Sequence, residues 1–143
     1  EGSNKGDIDT ADFLSRVRRL NDAGYYVLIS EFFRYFRVRQ YFARYTEKPV
    51  GIVTDVRGFE RIMGEEYYDG LEGGILEGLG KLFPPGTTAY VYPGAGEDRS
   101  AGFETQQVAP HLRPLVDYFR ERGQVVPVAG FDMPRTDAES RGL

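Results

Sequence analysis

Four short apolar segments constrain this chain more than any other feature: 25–29 (YYVLI), 50–54 (VGIVT), 88–92 (TAYVY) and 124–128 (QVVPV), each separated from the next by a stretch of helix length. Strand and helix signals alternating in this way demand a mostly parallel sheet, because parallel neighbours are joined by a crossover of a dozen residues or more. The predicted fold is α/β, a Rossmann-like three-layer α/β/α arrangement around a mostly parallel four-stranded sheet, with right-handed crossovers and a helix in front. The runs YYVLI and VGIV are continuously apolar, as expected of strands covered on both faces. Pro127 assigns the last strand to a sheet edge, where a missing N–H is tolerated.

The intervening stretches carry helical periodicity. Thr10 is placed to cap a first helix with Phe13, Leu14, Val17 and Leu20 on one face and Arg16, Arg18 and Arg19 on its solvated side, ended by Gly24. Ser30 is placed to cap a second helix over roughly 31–45, with Glu31 in its first turn, where a negative charge suits the dipole. In that helix, EFFRYFRVRQYFARY, one apolar stripe holds Tyr35, Val38, Phe42 and Tyr45 and an adjoining one Phe32, Phe36 and Ala43. Arg34, Arg37, Tyr41 and Arg44 fall opposite, a basic outer ridge with Glu65, Glu66 and Glu77 as candidate ion-pair partners.

The stretch YYDGLEGGILEGLGKLF predicts a helix over 70–83: Asp69 and Glu72 have capping-box spacing, and Leu71, Ile75, Leu79 and Leu82 recur on one face. Its interior glycines each cost about 1 kcal/mol relative to Ala. Gly70, Gly74 and Gly78, four apart, predict a groove free of side chains, used for close packing against another backbone or a ring. Pro84-Pro85-Gly86 stops this helix. A shorter helix is expected around 59–63, and a last one marked by Leu112, Leu115, Val116 and Phe119, running to Arg122 with Gly123 just past its end.

A chain of 143 residues, 41% apolar and 28% charged, has room for one real core and reads as a globular domain over 10–130. Residues 1–9 read as a linker and 131–143 as a charged tail. No apolar run approaches the length of a membrane span, so no membrane partner is expected. The absence of cysteine removes disulfides and thiolate metal sites and fits a cytoplasmic setting. The single histidine, His111, at a helix start, reads as a surface or capping residue and rules out a multi-histidine metal centre within the chain. A net charge of −4 gives no general attraction to nucleic acid, which is not an expected partner, although arginine interleaved with aromatics on the second helix is the pattern that would grip it.

In a parallel sheet ligands bind beyond the carboxyl ends of the strands, where strand order reverses. The residues assigned to that rim are Ser30, Glu31, Thr54, Asp55, Arg57, Gly94 and Gly96, with Ser30 and Arg34 at the start of the second helix as donors to a small anion. A nucleotide or another phosphorylated small molecule is the ligand class for such a rim, and Mg²⁺ on Asp55 the one cofactor to consider. No dinucleotide fingerprint, phosphate-binding loop, nucleophile elbow or zinc-protease motif occurs in the chain, and the segment 93–108 reads as a long loop.

Together LIS-EFFRYFRVRQYFARYT at 28–46, EEYYDGLEGGILEGLGKLF at 65–83, AYVYP at 89–93 and APHLRPLVDYF at 109–119 resemble the C-terminal region of a poorly characterised bacterial family often labelled nicotinate-nucleotide adenylyltransferase. The resemblance covers most of 10–141 and implies the end part of a longer protein. It carries no catalytic residue over to this chain, which lacks the H-x-G-H-type motif of nucleotidylyltransferases. The expected function is that of an accessory or interaction domain, packing against the rest of a longer parent chain or a second copy through Arg37, Tyr41 and Arg44 or through Gly70, Gly74 and Gly78. The alternative is a nucleotide- or phosphate-ligand-binding enzyme domain with its site at the strand ends.

Overall fold

The computed structural model describes residues 9–94 and 108–128. Its contacts divide the chain into two units, Glu1–Phe32 and Phe33–Leu143.

The first unit holds one helix, α1 (Thr10–Asp22), capped by Asp9 rather than by Thr10: the Asp9 carboxylate accepts from the N–H groups of Ala11 and Asp12 at 3.0 and 3.1 Å. Asp12 and Arg16 pair at 2.7 Å one turn apart. The expected strand at 25–29 does not form. Its residues make no ladder, and Tyr25, Leu28 and Ile29 are exposed. An apolar run has the composition of a strand, but only a hydrogen-bonded neighbour makes it one, and none is present among the described residues.

The second unit runs α2 (Tyr35–Ala43), β1 (Val50–Asp55), α3 (Val56–Ile62), a 3₁₀ turn (Glu65–Tyr68), α4 (Gly74–Leu82), β2 (Thr87–Tyr92), a 3₁₀ turn (Pro110–Leu112), α5 (Arg113–Glu121) and β3 (Val125–Pro127). The three strands are parallel in the order β1-β2-β3, so among the described residues the sheet has three strands where the sequence predicts four. Pro127 lies on the edge strand, opposite Val91, as its missing N–H requires.

Burial follows the pleat. Ile52 and Thr54 of β1, Thr87, Ala89 and Val91 of β2 and Val125 of β3 are buried. Ile52, Ala89, Val91 and Val125 share one core with Phe59 and Ile62 of α3, Leu79 and Leu82 of α4, and Val116 and Phe119 of α5. Each such apolar side chain, fully buried, contributes about 1.5–3 kcal/mol. Helix α3 packs on β1 and β2, and α5 on β3. Both crossovers step in the same direction along the sheet, and right-handed connections of that kind put their helices on the same face.

Two helices start later than their periodicity predicts. Helix α2 begins at Tyr35, not near Glu31, and neither Ser30 nor Arg34 supplies a side-chain cap. The hydroxyl of Tyr67 does so instead, accepting from the Tyr35 N–H at 2.8 Å. Helix α4 begins at Gly74 because Gly70 and Gly74 hold φ of +92° and +53°, left-handed conformations that only glycine adopts freely. Residues 70–73 are therefore a turn, not the first helical turn, and Glu77 takes the capping part expected of Glu72 by accepting from the Gly73 N–H at 2.8 Å.

Candidate functional site

At the carboxyl end of β1, Asp55 is the N-cap of α3 and its Oδ1 accepts from the Gly58 N–H at 2.7 Å. Thr54 is buried, and its Oγ1 crowds the position that a Cβ on Gly58 would need. Arg57 is exposed and Gly94 half-buried, while Gly96 lies outside the described residues. Because strand order runs β1-β2-β3 without reversal, the described sheet has no switch-point crevice for these residues to line. Ser30 and Glu31 belong to the first unit and do not sit on a helix start. Among the described residues no group of three or more His, Cys, Asp or Glu could hold a metal ion, so nothing there gathers around Asp55 to hold Mg²⁺.

Arg34 has a structural task. Its Nη1 donates to the backbone carbonyl of Tyr67, and its guanidinium carbon lies 4.8 Å from the centre of the Tyr67 ring. The Tyr35 N–H at the start of this helix is likewise held, by the Tyr67 hydroxyl. Burial raises the Tyr67 phenol above its ordinary value, against the lowering effect of the Tyr35 N–H.

Of the predicted outer ridge of α2, Arg34 is half-buried against Tyr67 and the rest faces outward. Arg37 and Arg44 are exposed, Tyr41 is half-buried, and its ring centre stands 5.9 and 5.0 Å from those of Phe42 and Tyr45. Two of the three predicted acidic partners are engaged elsewhere. Glu77 pairs with Lys81 at 2.6 Å, and Glu65 lies 3.4 Å from His111. The hydrogen bond from Lys81, with a second from Gly73, holds the Glu77 carboxyl below the usual range. Of the three spaced glycines, only Gly78 acts in close packing, against the Tyr68 ring. Gly70 and Gly74 are turn residues, and a Cβ on either would have nothing within 4 Å, so no continuous groove exists.

The sheet's second face exposes side chains at its centre among the described residues. Val53 is 68% exposed and Tyr90 41%, and the two stand opposite each other in the β1–β2 register. The Tyr90 ring reaches across to Gly51, whose Cβ, if present, would lie 3.4 Å from Cε2. Parallel sheets are characteristically covered on both faces, so an exposed Val–Tyr pair on this one is anomalous for an isolated unit.

One residue that the sequence pattern should have exposed is Arg39. It sits three residues after Phe36 and three before Phe42, inside the apolar arc of α2 rather than on the basic ridge, and it is only 9% exposed. Its Nε donates to Thr87 Oγ1 at 2.7 Å, whereas its Nη1 is sealed from solvent with no hydrogen-bond partner. Tyr68 Oη is the other such atom among the described residues, and burial pushes that phenol far up.

Comparisons with protein-family models, curated proteins and solved structures gave no match to this chain. No described helix is long and apolar enough to cross a membrane.

Proposed function

We propose that this chain is an interaction domain, the C-terminal part of a larger bacterial protein, that acts by packing its second sheet face against another polypeptide and carries no complete catalytic set of its own. The observation that supports this reading is the Val53–Tyr90 pair, apolar and exposed on a parallel sheet. Sheets of this kind are stable when layered on both sides, and in this reading another polypeptide supplies the second layer. In this reading the three strands are the centre of a Rossmann-like three-layer arrangement completed on association, consistent with the family resemblance of the sequence.

A second copy of the chain, or the rest of a longer parent, is the polypeptide that fits. The exposed Arg37 and Arg44 call for a negative counterpart, and the chain itself exposes Glu65, Glu66, Asp69 and Glu72. Complementary charge of this sort sets orientation and encounter rate, while the apolar pair supplies the contact.

Sedimentation velocity tests the reading. The wild-type chain is expected to self-associate, and the double variant Val53→Lys/Tyr90→Lys to stay folded by circular dichroism but remain monomeric. Hydroxyl-radical footprinting covers the other arm, with Tyr90 expected to be protected in the longer parent protein. A monomeric chain whose Tyr90 is equally reactive in both proteins would remove the proposal.

A further inference from the structure

We propose that the second face of the sheet is covered by helix α1 of a second copy of this chain, a proposal that rests on the sheet-face reading above and names the occupant. Helix α1 has 13 residues, a length at which an isolated helix is marginal in water and depends on packing its apolar face. Phe13, Val17 and Leu20 recur at one-face spacing, with Leu14 beside them. Yet no residue of α1 is buried, and Leu14 and Leu20 are 43% and 46% exposed. The stripe has no core of its own.

The sheet presents a surface of matching kind and size. Val53, Tyr90 and Val126 stand side by side across β1, β2 and β3, an apolar row about 10 Å wide. Strands β1 and β2, six residues each, run about 20 Å. Helix α1, at 1.5 Å per residue, is also about 20 Å long, and a helix with its side chains is about 10 Å across. Laid along the strands, it covers the row without overhanging it.

The connection from α1 to α2 lets that helix come from another copy. The twelve residues 23–34 hold no helix or strand. Extended, they reach about 40 Å, more than the diameter of a small domain, about 30 Å. Tyr26 and Phe33 on this arm are almost wholly exposed in the single chain, as fits a segment that runs between two copies. In a two-fold dimer each copy gives its α1 to the other's sheet, so the two contacts are identical and the assembly closes. Exchange supplies the packing that α1 lacks within one chain.

The test uses the whole chain. By sedimentation velocity the wild type is expected to be a dimer, and Val17→Gln/Leu20→Gln, which keeps helix propensity, to be folded by circular dichroism and monomeric. Because the chain has no cysteine, introduced thiols report single contacts. A mixture of Val17→Cys and Val53→Cys chains is expected to give a covalent heterodimer with a short bismaleimide, identified by mass, whereas Arg19→Cys, on the solvated side of α1, mixed with Val53→Cys gives none. A Val17→Cys/Val53→Cys chain that links only within itself overturns the proposal, as does a monomeric wild type. Association that survives Val17→Gln/Leu20→Gln but not Val53→Lys/Tyr90→Lys overturns α1 as the occupant and leaves the sheet face standing. Association that survives both pairs of substitutions removes the face as well.

Discussion

The ring of Tyr68 fills the space that a side chain on Gly78 would need: a Cβ built there would lie 2.7 Å from Cγ of the ring, with Cδ1 and Cε1 closer still. Tyr68 is 1% exposed, stands 5.7 Å centre to centre from Phe36, and so joins α4 to α2 through one aromatic side chain. The glycine is thus the condition for bringing these two helices onto the same ring.

Gly78→Ala is expected to destabilise the fold by about 1–3 kcal/mol, the usual cost of overpacking, even though alanine favours helix. Gly80, two residues on in the same helix, is exposed with nothing within 4 Å of a Cβ, so Gly80→Ala is expected to stabilise by about 0.4–1 kcal/mol. Urea denaturation midpoints check the pair. Equal shifts of the same sign would contradict the packing account.

Tyr68→Phe keeps the ring and deletes a hydroxyl that has no partner among the described residues, so stability at neutral pH is expected to hold or rise by about 1 kcal/mol. Burial raises the Tyr68 phenol above its ordinary 10.0. The native state therefore holds this proton when the unfolded chain releases it. The contribution is complete below 10.0 and is lost as the pH rises from there through the higher folded value. Alkaline unfolding of Tyr68→Phe, followed by circular dichroism, is expected to begin at higher pH than that of wild type.

Glu77 has the opposite sign. Its carboxyl is held low by Lys81 and Gly73, so its contribution is present above the unfolded carboxylate value and lost as the pH falls through the folded one. Glu77→Gln is expected to flatten the acid limb of a stability profile between those two values and to leave the alkaline limb unchanged.

Gln124 is buried, and its amide serves three carbonyls around the turn into β2 while its own carbonyl oxygen accepts from Arg122 Nε at 3.0 Å. Gln124→Leu fills similar volume but strands those buried acceptors, an expected loss of about 1–3 kcal/mol. Thermal denaturation checks it. A neutral result would mean that water satisfies the same oxygens.

How much of this was legible in the sequence depended on whether a feature was local. The parallel sense of β1, β2 and β3 and the edge position of Pro127 followed from segment spacing and from one missing N–H. The fate of 25–29 did not, since its apolar composition says nothing about whether a neighbouring strand is present. The sequence did not report the partners of Asp55 and Arg34 in the fold: a backbone N–H three residues on for Asp55, and a carbonyl 33 residues away for Arg34. The second is a long-range contact that no local pattern reports. Arg39 was different, for its phase on the α2 wheel already placed a charge among Phe36 and Phe42.

The start of α2 offers a test of whether Arg34 holds structure together or waits for a ligand. Arg34 grips the Tyr67 carbonyl and ring, and the Tyr67 hydroxyl caps Tyr35, so the two side chains act on the same helix end from opposite directions. Arg34→Met is expected to cost about 1.5–3 kcal/mol as a charge-assisted bond to a carbonyl is lost. Tyr67→Phe, which leaves the Tyr35 N–H without its acceptor, is expected to cost about 1–3 kcal/mol. Because each bond orders the partner of the other, the double variant should lose less than the sum, with a coupling of about 0.5–2 kcal/mol. Losses that add within about 0.3 kcal/mol would show two independent contacts and would reopen Arg34 as a group free to serve a ligand.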